Sequence, residues 1–210
     1  LSIGGYFGGA GVGSGMKSGS RTEAFIRKAN VTADSDIDVS ADSYVYGEFN
    51  DGSVGGGLVG AGATVAVGVF DGTTHASVIG AQLDAGRDVS VEANAFEDIT
   101  VVAGTAAAGA GGLAGTVSVM VTTSDTQAWI GSSGSTHADV DATRNVGVEA
   151  NSRTDVNQQP GLRPEGVGAA AVGGVAAGAS VDVITINNTT SAYVNDNGAV
   201  DAGNNVSVMA

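Results

Sequence analysis

Residues 99–124 read ITVVAGTAAAGAGGLAGTVSVMVTTS, an uncharged run bounded by Asp98 and Asp125. Thirteen of its 26 residues are Gly, Ala or Ser. Three readings compete for it: a membrane span, a loop that cradles phosphate, or strand so closely packed that only small side chains fit. The run is long enough to span, since about 20 apolar residues cross a bilayer, and Gly111 and Gly115 form a Gly-x-x-x-Gly pair. Against a span, Thr, Ser and Gly dilute its hydrophobicity, and no Lys/Arg or Trp/Tyr cluster flanks it. A phosphate loop needs a strand before it and a helix after it. The glycines at 109, 111 and 112 are followed by strand-like sequence, and the glycines before Lys17 lack the required spacing.

The wider sequence decides the matter, because the run recurs. Two motifs return in fixed order through the chain. The first is Thr-x-Ala-x-Ile/Val, at Thr22-Glu-Ala24-Phe-Ile26, Thr74-His-Ala76-Ser-Val78, Thr126-Gln-Ala128-Trp-Ile130 and Thr190-Ser-Ala192-Tyr-Val194. The second is an apolar residue, Ala two positions on, then Asp/Asn-Val/Ile-x-Val-x-Ala. Its Asp/Asn falls at Asp36, Asp88, Asn145 and Asn205, spacings of 52, 57 and 60 residues. Each copy carries a Gly/Ala-rich run ahead of the Thr motif, and residues 99–124 hold the third. The extra length in later copies falls at residues 132–136 and 158–165, in turn-forming sequence that a repeated scaffold tolerates. The repeats are assigned to residues 1–43, 44–94, 95–151 and 152–210 of one solenoid segment.

Both motifs alternate with period two, the mark of a half-buried strand. Val89, Val91 and Ala93 face one way, while Ser90 and Glu92 face the other. Linking residues such as Asp84-Ala-Gly-Arg87 and Asp201-Ala-Gly-Asn204 are turn formers. Val and Thr are frequent and straight-chain helix formers scarce, so the chain is all-β. Glycine weakens a strand unless another backbone must come close. A narrow solenoid supplies that reason, with small alternating residues filling the interior of the Gly/Ala runs. The Val-x-Val segments at Val65-Ala-Val67-Gly-Val69, Val117-Ser-Val119-Met-Val121 and Val181-Asp-Val183 are expected to supply its apolar area. Whether the Gly/Ala runs are strand or irregular crossing is left open by pattern alone.

Composition narrows the function. The 210 residues include 35 Gly, only two Pro and no Cys, and carry a net charge of −14. That charge opposes binding to nucleic acid or anionic lipid and favours solubility and self-repulsion. Without Cys, the chain is not a small disulfide-stapled domain, although compartments outside a bacterium remain compatible. It opens at Leu1 with no signal peptide, which reads as a segment of a longer array.

Candidate chemistry is sparse. Asp34, Asp36 and Asp38 alternate and, with Asp42 nearby, could line one strand face and hold calcium; Asp196 and Asp201 bound a second oxygen-rich turn. Calcium needs six to eight converging oxygens, and the competing reading is a solvated acidic face. His75 and His137 are the only histidines, and no Ser/His/Asp set or privileged acid pair stands out. No catalytic residue, metal ligand set or cofactor is therefore assigned, calcium apart. Phe25, Ser77, Trp129 and Tyr193 are equivalent positions. Their aromatics form either a stacking ladder along one wall or a contact stripe for sugar or protein.

The Gly/Ala alternation, Val-x-Val, Thr-x-Ala-x-Ile and Ala-Gly-x-Asp/Asn-Val-x-Val-x-Ala together resemble the repeats of large filamentous-haemagglutinin-like adhesins of bacteria, including leukotoxin-like filamentous members. The resemblance covers nearly the whole chain. It implies a right-handed parallel β-helix, export to the cell surface or medium, and a role in adhesion, biofilm or filament formation, without catalytic residues. The expected architecture has about two or three coils per repeat, giving a rod of roughly 40–60 Å at about 4.8 Å per coil. The expected function is a non-enzymatic surface shaft or adhesin repeat. The alternatives are a self-assembling extracellular filament or sheath subunit and a polysaccharide-active β-helix enzyme. Expected partners are neighbouring repeats, further copies of the chain, and a host or matrix surface, with no nucleic acid and no membrane insertion.

Overall fold

The computed structural model describes residues 2–3, 5–132, 134, 136–158, 167–195 and 197–210. It is an all-β parallel solenoid. The strands are β1 (Ser2–Ile3), β2 (Phe7–Arg27), β3 (Asn30–Ala33), β4 (Ile37–Gly56), β5 (Val59–Ile79), β6 (Gln82–Ala85) and β7 (Val89–Ala108). They continue as β8 (Gly111–Gly131), β9 (Ala138–Ala142), β10 (Asn145–Gln158), β11 (Val167–Val172), β12 (Val175–Val194), β13 (Gly198–Ala202) and β14 (Asn205–Met209). They stack into three parallel sheets. One broad sheet runs β12-β8-β5-β2, and the other runs β1-β4-β7-β10-β14 with β11 also on β7. The short third sheet, β13-β9-β6-β3, closes one end.

Each repeat is a single coil, which corrects the expected two or three. A long strand, a corner, a short strand, a second corner and another long strand complete the circuit, and the next repeat lies directly on it. The register proves this, since Thr22, Thr74, Thr126 and Thr190 pair in one column. Ile37, Val89, Val146 and Val206 form another. The expected rod is accordingly a plank. At about 3.3 Å per residue and about 4.8 Å per strand, the 20- and 21-residue strands extend roughly 70 Å while four coils stack to about 19 Å.

The Gly/Ala runs are strands. Residues 99–124 comprise the end of β7, a turn at Gly109 and Ala110, and the first part of β8. No helix among the described residues is long and apolar enough to cross a membrane. Here the broad sheets almost touch. A Cβ on Gly55 would lie 1.9 Å from the Ala61 carbonyl oxygen, and one on Gly60 would lie 2.4 Å from that of Ala108. Glycine is needed because another backbone occupies the space.

The interior changes character along the plank. At the three-sheet end, motif residues from all sheets make the largest apolar cluster, with Val78, Leu83, Val91, Ile130, Val140 and Val148 among its buried members. A second cluster midway holds Phe49, Phe70, Ile99, Val101 and Met120. Between that cluster and the thin end, a hydroxyl network bridges the sheets. Thr105 Oγ1 lies 2.8 Å from Thr64 Oγ1 and 3.0 Å from Thr116 Oγ1, while Ser53 Oγ donates to the Ala63 carbonyl at 2.9 Å.

The Val-x-Val segments point outward, contrary to expectation. β5 is one uninterrupted strand, so Thr74, Ala76 and Val78 facing inward force Val65, Val67 and Val69 onto the other face. Val65 is 43% and Val117 38% exposed, and the interior positions between these valines and their neighbours are taken by Ala66, Gly68, Ser118 and Met120.

Candidate functional site

The column Phe25–Ser77–Trp129–Tyr193 exists as a register line, but only part of it stacks. The Trp129 and Tyr193 rings lie nearly parallel, 6.1 Å apart and 8° from coplanar. Phe25 is separated from them by the coil that carries Ser77, and the Arg27 guanidinium covers its ring at 5.5 Å. His75 meets Trp129 edge-on at 5.4 Å. Its Nε2 lies 3.2 Å from Asp125 and its Nδ1 3.8 Å from Glu23, so the imidazole joins carboxylates of the coils on either side. Arg21 hydrogen-bonds Glu23 and holds that carboxyl below its usual range.

The calcium candidates do not converge. Asp34 and Asp36 lie in the corner before β4, and only Asp38 is on the strand. Asp36 is already engaged, accepting the Asp88 backbone N–H at 3.2 Å and pairing with Arg87 at 3.1 Å. The same corner repeats in later coils: the Asn145 amide donates to Asp88 at 2.7 Å and that of Asn205 to Asn145 at 3.2 Å. These residues tie coil to coil. Asp196 lies outside the described residues. Asp201 pairs in register with Asp141, which lies over Asp84; burial first, then the neighbouring carboxylates, raise the Asp141 carboxyl above its normal range. Among the described residues no group of three His, Asp or Glu side chains could hold a metal ion.

One surface feature was not anticipated. On the outer face of the β4-β7-β10 sheet, a groove of about 490 Å³ runs across three coils. One wall is the ladder Asp42–Asn94–Asn151, linked by the Asn94 amide donating to Asp42 at 2.9 Å and the Asn151 amide to Asn94 at 3.1 Å. The other wall is Tyr44, Phe96 and Arg153. The two rings stack at 5.1 Å and 14°, and the guanidinium lies 5.7 Å from the Phe96 centroid. The Asn94 amide has a second N–H beyond its ladder bond, while Asn151 donates its second to Glu149 at 2.8 Å and has its carbonyl oxygen to offer. The groove thus offers polar hydrogen-bonding along one side and ring surface along the other. These residues occupy the first and third positions after the motif alanines Ala41, Ala93 and Ala150. Extending the repeat alignment by three residues would have exposed them.

One titratable group sits inside the plank. Glu97 is 3% exposed, in the interior next to the Phe49–Phe70 cluster. Thr154 donates to its Oε2 at 3.1 Å, and it occupies space left by the absent side chain of Gly72. Burial raises its carboxyl above the ordinary range, partly offset by hydrogen bonds from Thr154 and Ser124. A raised folded-state pKa means the folded protein binds this proton more tightly than the unfolded chain. The group's contribution is therefore full below the unfolded value of about 4.3 and is lost as pH rises through the folded value. Glu97→Gln is expected to raise the urea midpoint at pH 7 relative to the parent chain and to change it little at pH 4. Equal shifts at the two pH values would contradict the assignment.

No protein-family model, curated protein or solved structure matches this chain.

Proposed function

We propose that the chain is a non-enzymatic structural repeat of an extracellular or cell-surface bacterial protein, serving as a shaft whose broad faces adhere to host or matrix. The observation that carries this reading is the single coil per repeat. Each 52–60 residues add only about 4.8 Å of rise but about 70 Å of width on each of two faces. Such a design adds much surface with each coil, and each outward position recurs from coil to coil as a column. Adhesion uses that surface, and the Tyr44–Phe96–Arg153 groove supplies ring and polar contacts on one broad face.

The test is to display the chain on a non-adherent bacterium and count attachment to host cells and to extracellular matrix. Attachment above the empty display strain is expected. The double variant Tyr44→Ser, Phe96→Ser is expected to lower it by about tenfold, the order expected when aromatic contacts are removed. Unchanged attachment by the folded variant would remove the groove from the reading, and turnover of uronate polymers by the chain would defeat the structural role itself.

A further inference from the structure

The outer face of the β12-β8-β5-β2 sheet is apolar over its thin half. Five outward columns run from Ala61 to Val69 on β5, matched by positions 113–121 on β8, 177–185 on β12 and 9–17 on β2. Lys17 is the only charged residue among these positions, in a chain of net charge −14. Leu113 is 59% exposed. From strand spacing the patch covers roughly 33 by 19 Å, about 600 Å². That is at the upper end of the roughly 300–600 Å² covered by the largest apolar patch of a soluble protein, and patches of that size are often functional.

The relief of this face is uneven. β5, β8 and β12 carry valine ridges, while the equivalent outward positions of β2 are Gly9, Gly11, Gly13 and Gly15. Nothing inside the molecule requires those glycines. A Cβ on Gly9 or Gly13 would meet nothing within 4 Å, and one on Gly11 or Gly15 would touch only a carbonyl at ordinary contact distance. None of the four has a positive φ.

We infer that this face binds the same face of a second copy of the chain, with the coil order reversed. Two copies would bury about 1,200 Å² in total, above the roughly 1,000 Å² that marks a specific interface. A two-fold axis along the strands, midway between β5 and β8, sets the β12 valines of each copy over the β2 glycine lane of the other, Val181 over Gly13 and Val183 over Gly15, and sets the central valines on one another, Val65 on Val117 and Val67 on Val119. This is the self-complementary arrangement that closed two-fold symmetry demands. The same operation carries the charged half past without conflict. Asp71 falls opposite Thr123, Asp125 opposite Thr73 and Glu23 opposite Ser191, so no two acids meet. Two strongly acidic chains come together on the part of the sheet that carries almost no charge.

The pairing rests on this face alone and does not depend on the adhesive reading. Its test is sedimentation of the chain from about 1 to 100 μM, the span in which an interface near the lower size limit associates. A concentration-dependent dimer is expected. Val117→Lys, on an outward position at the centre of the patch, is expected to weaken dimerisation by at least about 100-fold, because an unpaired charge would be buried. Its β circular dichroism should be unchanged. The chain lacks cysteine, so Gly13→Cys and Val181→Cys chains mixed with a short bis-maleimide, able to bridge face-packed sheets about 10 Å apart, should give a cross-linked heterodimer. Either chain alone should not cross-link. A monomer throughout, a dimer indifferent to Val117→Lys, or cross-linking of Gly13→Cys to itself would overturn the inference. Association through the coil ends survives Val117→Lys and so is told apart from face pairing.

Discussion

Phe70→Ala is expected to destabilise the plank by about 3–5 kcal/mol, the range for emptying a well-packed phenylalanine site. Phe70 is 2% exposed and meets Phe49 edge-to-face, with centroids 5.6 Å apart and planes at 89°. Both rings are accommodated by glycines on the opposing walls. A Cβ on Gly47 would lie 2.7 Å from Phe70 Cζ, and one on Gly68 would lie 2.7 Å from Phe49 Cζ. The walls cannot close on a lost ring, because the three-sheet core fixes their separation on one side and the Thr64–Thr105–Thr116 network fixes it on the other. Urea midpoints would measure the loss. A sharper test uses Gly47, whose register partner on β7 is Ile99. Gly47→Ile alone should be destabilising, since it collides with the Phe70 ring. In the Phe70→Ala background it should refill the cavity and recover part of the loss. A coupling of about 1–3 kcal/mol is expected for residues sharing one cavity. Strict additivity of the two changes would show that they do not share it.

The Gly47–Phe70 exchange shows why parts of this fold were legible and others were not. The strand character and the register of Thr22 with Thr74, Thr126 and Thr190 follow from period-two motifs whose one buried face is fixed by the three-sheet core. The coil count was hidden because strands ordinarily run 3–10 residues, so 52 residues invite several short coils. The true turns, at 57–58, 109–110 and 173–174, lie inside Gly-rich sequence where one more glycine is no signal. The outward valines were legible in principle. Parity carried back from Thr74 places Val69, Val67 and Val65 outside, but only if β5 is unbroken. Glu97 was hidden by the same condition and one more. Parity carried forward from Val89, Val91 and Ala93 places Glu97 inside only if β7 is unbroken, and the room for its carboxylate comes from Gly72, 25 positions earlier in sequence and on the opposing sheet. The groove of Tyr44, Phe96 and Arg153 was legible only by carrying the register three residues past the motif alanines, because its three residue types differ and no likeness between repeats marks the column.

Gly60→Ala is expected to cost about 3 kcal/mol or more, an unusually large effect for adding one methyl group. The added Cβ would stand 2.4 Å from the Ala108 carbonyl oxygen and 3.1 Å from that residue's C and N. All three atoms are backbone, so no side-chain rotation relieves the contact. Moving Ala108 would disturb the adjoining turn, where the Gly57 N–H donates to the same carbonyl at 3.2 Å. The column agrees with this reading, since Gly8, Gly60 and Gly112 occupy it in three successive coils and Ala176 appears only in the last. Gly104→Ala is the matched control from the same thin half. Its Cβ would point away from the facing sheet and meet nothing within 4 Å. There the usual cost of glycine in a strand is removed, and a gain of about 0.5–1 kcal/mol is expected. Opposite signs for two Gly→Ala changes, read from urea midpoints, would locate the close approach of the two walls at Gly60. A neutral Gly60→Ala would mean that the walls stand further apart than glycine requires, and the physical reason for the Gly/Ala run would be lost.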